Sequence, residues 1–193
     1  MRGPLATMAA LCLALAGCVT DGGQGTSAAP AGAAVEALRA EAALRDVLAA
    51  APRARAEMPP PDPTAPMADP LTCLARTVYW ESKGQPVEGQ RAVAHVVLNR
   101  ARASGYPDRV CEVVTQGGPS RPCQFSFYCD GRDDTPREPE AYETAHRVAW
   151  EALAGASADP TRGAVMFHNG TVRPSWARAK RRTATIGDHF FYR

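Results

Sequence analysis

The sequence predicts an α+β domain, a helical lobe with a small antiparallel sheet at its side, in residues 71–193 of a 193-residue chain. Three observations lead there. Between residues 71 and 155, apolar residues recur at helical spacing between helix start and stop signals. The later runs GAVMFHNG and TATIGDHFFYR are short, extended in character and punctuated by Asn-Gly and Gly-Asp turn signals. A composition 45% hydrophobic and 22% charged suits one soluble globular domain.

The first 70 residues read differently. Arg2 precedes the apolar run LATMAALCLALA, too short to cross a bilayer as a helix and of the right length for a signal-peptide core. It ends in LAGC, residues 15–18, which resembles a bacterial lipobox. Residues 1–17 are therefore expected to be a leader and Cys18 a lipidated first residue, giving an exported, membrane-anchored chain on the periplasmic side of an envelope. Plain secretory cleavage near Ala16 is the alternative. Residues 18–70 form a tether rich in alanine, glycine and proline, with seven of the 17 prolines between Ala51 and Pro70. Within it residues 33–50 are good helix formers, and MPPPDPTAPMADP is expected to be an extended, semi-rigid spacer.

The domain's elements follow in order. LTCLARTVYWES predicts a helix over residues 72–82 that Gly84 stops. PVEGQRAVAHVVLNRARAS opens with Pro86 and Glu88 and is so apolar from Ala92 to Leu98 that it should be buried on most sides. PDRVCEVVTQ suggests a shorter helix. In QFSFY, alternation sets Phe125 and Phe127 on one face and Gln124, Ser126 and Tyr128 on the other, as in a half-buried strand. EPEAYETAHRVAWEALAG aligns Tyr142, His146, Ala149 and Leu153 and stops at Gly155. The two runs ending at Asn169 and Tyr192 supply the sheet.

Four cysteines, Cys73, Cys111, Cys123 and Cys129, fall in the domain and allow three pairings. Chain proximity favours Cys123 with Cys129, leaving Cys73 with Cys111; the export signal favours disulfides over zinc, and no pair has the spacing of a zinc knuckle. The domain carries 17 Lys and Arg against 13 Asp and Glu, with the excess gathered in RPSWARAKRR, residues 173–182. In a cytosolic protein that cluster would suggest nucleic acid; export argues against it and leaves a solvated basic face or a patch that meets an anionic polymer.

Glu81 is the residue with the sharpest chemical implication. Leu74, Val78 and Glu81 fall at i, i+4 and i+7, so the carboxyl shares the helix face that the apolar residues bury. Loss of water and the negative end of the helix dipole both disfavour its ionisation. The result is a carboxylic acid still protonated when a proton donor is needed, the requirement for a general acid in glycosidic cleavage; an exposed surface glutamate in a shifted helix register is the alternative.

Four stretches, LARTVYWESKGQPVEGQRAVAHVVLNRARASGYP, CQFSFYCDG, DPTRGAVMFHN and SWARAKRRTATIGDHFFYR, stand in order and at spacing similar to the SleB-like cell wall hydrolase family. The resemblance covers nearly all of residues 72–193. It implies a fold like goose-type lysozymes and lytic transglycosylases, with one essential glutamate at the position of Glu81. It also implies cleavage of peptidoglycan glycan strands between N-acetylmuramic acid and N-acetylglucosamine, in the transglycosylase version by attack of the sugar's own 6-hydroxyl. Gln124, Ser126, Tyr128, Asn169, Trp176 and Tyr192 fall in matching stretches and are candidate sugar contacts, with plain packing the alternative for Trp176. His189 belongs to the matching GDHFFY ending, which is compatible with a place beside the cleft. Asn99 reads as a buried amide fixing the first two helices. This chain departs from the family at Ser82, where alanine is common, and at His168, where an aromatic often stands.

A two-carboxylate glycosidase needs a second acid at a set distance, and Asp130, Asp133, Asp134 and Asp188 lie in turn-like stretches with none obviously placed. No HExxH pair joins His95, His146, His168 or His189, so neither metal nor cofactor is expected. A monomer is expected. A non-catalytic wall-binding lipoprotein and an N-acetylmuramoyl-L-alanine amidase are the competing readings; a buried acid has no use in the first, and the second requires three convergent metal ligands.

Overall fold

In the computed structural model, residues 31–118 and 123–193 are described. The leader, Cys18 and its expected lipidation lie outside them. The first helix, α1 (Ala31–Glu57), runs past Pro52 to a greater length than expected. The lobe consists of α2 (Pro70–Ser82), α3 (Val87–Arg102), α4 (Val110–Val114) and α5 (Pro139–Leu153). Strands β1 (Met166–Asn169), β2 (Arg182–Ile186) and β3 (His189–Tyr192) form an antiparallel sheet in the order β1-β3-β2. This is the α+β, lysozyme-like arrangement that the sequence predicts.

Helix α2 is the spine. Asp69 caps it, accepting from the amides of Leu71 (2.9 Å) and Thr72 (3.0 Å), while Pro70 gives up no useful donor in the first turn. Cys73, Leu74, Ala75, Val78 and Tyr79 are fully buried against α5 and α3, and the span Ala92–Leu98 of α3 is buried throughout, as its composition indicates. The hydroxyl of buried Tyr79 accepts from the amides of Arg137 (3.1 Å) and Glu138 (3.3 Å), fixing the entry to α5.

The sheet is fastened to this lobe at one corner. Gln85, in the turn between α2 and α3, donates to the Asp188 carboxylate (3.0 Å) and accepts from the Asp188 amide (3.0 Å) at the tip of the β2–β3 hairpin. Gly187 (φ 55°) makes this approach possible, since a Cβ there would run into the Gln85 side chain.

Three expectations need correction. The segment QFSFY is no strand: residues Ser126–Cys129 form a 3₁₀ turn. Seven extended residues would span about 20 Å, whereas the Cys123–Cys129 disulfide holds its Cα atoms 6.4 Å apart. The alternation of faces survives, with Phe125 and Phe127 buried and Gln124, Ser126 and Tyr128 exposed. The spacer also ends sooner than residue 70. The buried guanidinium of Arg76 needs acceptors and takes the carbonyls of Pro63 (3.0 Å) and Ala65 (2.7 Å), so the chain docks on the lobe from there. Asn99, finally, does not join the first two helices. It donates to Asp159 (2.9 Å) and to the Ala164 carbonyl (3.0 Å), tying α3 to the loop that leads into β1.

The Cys73–Cys111 disulfide closes a loop of 38 residues between α2 and α4. Replacing both cysteines by alanine should lower the unfolding free energy by about 4 kcal/mol, the loop entropy restored to the unfolded chain; urea unfolding of the oxidised protein and the variant checks it.

Candidate active site

Glu81 stands one residue before the end of α2, at the end of the face that Leu74 and Val78 bury. Gly84 (φ 85°) turns the chain immediately afterwards. The side chain is half-buried, and among the described residues its carboxyl has no hydrogen-bond partner. Burial raises its pKa from 4.5 to about 7, and the nearby charge of Arg100 pulls in the opposite direction. Arg100 is itself buried on α3. Its Nε donates to the Val165 carbonyl (2.7 Å), and its guanidinium lies over the rings of Phe125 (5.2 Å) and Tyr106 (5.6 Å). Burial lowers the Arg100 pKa, yet one guanidinium nitrogen, Nη1, remains without a partner.

These groups meet in a groove of about 470 Å³ between lobe and sheet. Trp80, Glu81 and Arg100 come from the helices; Phe167, His168, Asn169 and His189 come from β1 and β3; Gln124, Ser126, Phe127, Asp130 and Arg132 come from the stapled loop and its exit. The groove opens at both ends. Trp80, Phe127, Asp130 and Arg132 also line a hollow of about 310 Å³, where Trp80 stacks on Phe127 (6.5 Å) and donates to the Asp134 carbonyl (3.0 Å). At the other end His168 is shared with a wider trough of about 810 Å³. His168 is held on both sides: Nδ1 bonds the Asn169 carbonyl (2.8 Å) and Nε2 the Tyr192 hydroxyl (3.0 Å).

The structure thus brings Glu81, Gln124, Ser126 and Asn169 together in one groove, with His189 in its sheet wall. Tyr192 lies in the neighbouring trough, and Trp176 packs edge-on against His168 (5.7 Å) and Tyr192 (5.3 Å). Tyr128 is exposed and lines neither. Arg100 and Trp80 were not singled out by sequence reasoning. Arg100 was within reach, because it follows Val93 and Val97 at helical spacing just as Glu81 follows Leu74 and Val78. Among the described residues, no three His, Cys, Asp or Glu side chains converge as metal ligands would. His95 instead bonds Ser157 (3.0 Å), and burial lowers the pKa of both His95 and His146.

A half-buried acid facing an open, polar-walled groove is placed where a proton donor to a bound substrate can act. The model of the family described as Cell Wall Hydrolase matches residues 84–192, more than half the chain, and the chain belongs to that family. Glu81 lies three residues before the matched span. The chain is 34% identical over 122 residues, 63% of its length, to the spore cortex-lytic enzyme of Halalkalibacterium halodurans, of which this stretch covers 34%. It therefore spans about a third of that relative. Among solved structures, it resembles the catalytic domain of the Bacillus cereus SleB protein (30% identity, TM-score 0.52, 64% of this chain and 89% of that one). It also resembles the catalytic domain of the germination-specific lytic transglycosylase SleB from Bacillus anthracis (30% identity, TM-score 0.53, 69% and 100%).

Two measurements test the electrostatics. Because the folded-state pKa of Glu81 lies above its unfolded value, the carboxyl costs nothing below pH 4.5. As pH rises from there to about 7 the cost grows, and above that it is constant. Glu81→Gln should therefore gain on the wild type across that window, by about 2–3 kcal/mol at pH 8, read from denaturant unfolding at pH 4 and pH 8. Arg100→Met should move the Glu81 titration midpoint upward, since the opposing positive charge is gone; carboxyl-labelled NMR reads this without any substrate.

Proposed function

We propose that this cell wall hydrolase cleaves the glycan strand of peptidoglycan between N-acetylmuramic acid and N-acetylglucosamine as a lytic transglycosylase, with Glu81 as its single catalytic carboxyl. The observation that carries this reading is the carboxyl raised to about 7 in the groove. Such a group is protonated often enough to donate and basic enough to accept, both near neutral pH.

The reaction balances with one side chain. Glu81 gives its proton to the bridging oxygen as the bond from that oxygen to the muramic C1 breaks, and the N-acetylglucosamine end leaves as an alcohol. The 6-hydroxyl of the same muramic acid then attacks C1, closing the 1,6-anhydro ring and returning its proton to the Glu81 carboxylate. No water is consumed and no second carboxylate is required, in contrast to two-carboxylate glycosidases. Desolvation suits both steps, since neither leaves Glu81 charged for longer than the intermediate lasts. Gln124, Ser126 and Asn169 offer amide and hydroxyl partners for acetamido and ring hydroxyl groups. The likeness to the Bacillus anthracis lytic transglycosylase supports the same reading. Export and anchoring through Cys18 belong to the proposal, and among the described residues no helix is long and apolar enough to cross a membrane.

Digestion of purified sacculi followed by mass spectrometry tests it. Anhydro-muramic ends are expected, with Glu81→Gln at least about 100-fold slower. The wild-type kcat/KM should fall about tenfold per pH unit above about 7, as the donor loses its proton. Reducing ends would indicate attack by water, and freed stem peptides an amidase; undiminished turnover by Glu81→Gln would place the chemistry elsewhere.

A further inference from the structure

The trough beyond His168 has a charge pattern that sugar recognition does not require. Four cations line it, Arg173, Arg178, Lys180 and Arg182, and no carboxylate does. Some exposed cations elsewhere on the domain find acids: Lys83 pairs with Glu138 (2.9 Å), Arg109 with Glu112 (3.9 Å) and Arg137 with Asp133 (3.7 Å). The trough's four have no ion pair or side-chain hydrogen bond among the described residues, and Arg182 only lies over the ring of Phe190 (5.2 Å). A solvated surface ordinarily intersperses both signs, so a single-sign concavity of about 810 Å³ is a field directed at an anion.

Its position narrows the choice of anion. The trough and the Glu81 groove share His168, and the opposite hollow is of mixed sign, with Asp130, Asp133, Asp134 and Glu138 alongside Lys83, Arg132 and Arg137. A polymer lying across Glu81 therefore meets side chains of both signs at one end, where Lys83 and Arg137 are paired with Glu138 and Asp133, and unpaired positive ones alone at the other. A neutral glycan gains nothing from that asymmetry. A glycan carrying acidic branches does.

We propose that this trough binds the carboxylates of the peptide stems that branch from the muramic acid residues of the strand under cleavage, so that peptide-bearing glycan is preferred to bare glycan. The proposal rests on the reading of the groove as a glycan site. The guanidinium groups of Arg173 and Arg178 supply paired donors that suit a carboxylate, and Lys180 adds a further positive charge. Phe190 and Tyr192 in the trough's lining give apolar surface for the peptide's alkyl portions. Long-range attraction to a stem would also orient the strand, fixing which end points towards the mixed-sign hollow.

The test compares glycan strands with their stems intact and the same strands stripped by an amidase. Wild-type enzyme should cut the former about tenfold more efficiently, mainly through KM, and the advantage should shrink as salt rises from roughly 50 to 300 mM. The Arg178→Gln/Lys180→Gln variant, both sites exposed, should keep its thermal midpoint while the ratio falls towards one. A ratio near one in the wild type, or one that survives in the variant, overturns the proposal. Calorimetry on Glu81→Gln separates this from the catalytic reading. A disaccharide-tetrapeptide should bind about tenfold tighter than the peptide-free disaccharide even if no strand is ever cut. Equal binding of the two overturns the proposal, as does tighter retention of a sugar-free polyanion than of the disaccharide-tetrapeptide.

Discussion

Everything in the site depends on α2 burying one continuous face that ends in a carboxyl. Water lost from around Glu81 is the dominant influence on its proton, and that loss comes from the same packing that stabilises the helix. The proposed chemistry and the core are therefore not separable here. The residues that exclude water from the end of α2 also provide the lobe's hydrophobic stability, so the cost of a desolvated acid is offset within the element that imposes it. Arg100 limits the effect. Its buried positive charge beside the half-buried acid favours the ionised carboxylate and so opposes the upward shift.

Several independent restraints hold that face in place. Asp69 sets where the helix starts, the disulfide from Cys73 fixes it to α4, and the Tyr79 hydroxyl fixes the approach to α5. Asn99 and Arg100, neighbours on α3, reach in different directions to Ala164 and Val165, the residues that feed β1. The sheet wall of the groove is thereby placed by side chains of the helical wall. That coupling explains how a three-stranded sheet, small on its own, can present Asn169 and His189 at fixed positions opposite Glu81.

How legible this was depended on range. Helices α2, α3 and α5 were visible because periodicity and end signals are local, and Glu81 was visible because a charge on an apolar face is a local contradiction. The β2–β3 hairpin announced itself through Gly187 and Asp188. QFSFY misled because its alternation is real but the Cys123–Cys129 crosslink forbids extension, and a pattern of faces does not reveal a backbone conformation. Tyr128 shows the same limit, since alternation placed it on the exposed side without showing what lies across from it. The partners of Asn99, at a separation of 60 residues or more, leave no trace in periodicity. The docking of residues 62–69 likewise depends on Arg76 being buried, which composition does not disclose.

The clasp made by Gln85 has a mechanical meaning. Both ends of its amide bond Asp188, and Gln90 in turn donates to the Gln85 carbonyl (3.1 Å), so the hairpin and the turn between α2 and α3 are tied into one joint. The two jaws are set at the time the chain folds. Ordering them is then met once, in folding, and not at each binding event, which leaves binding energy free to act on the bound substrate itself.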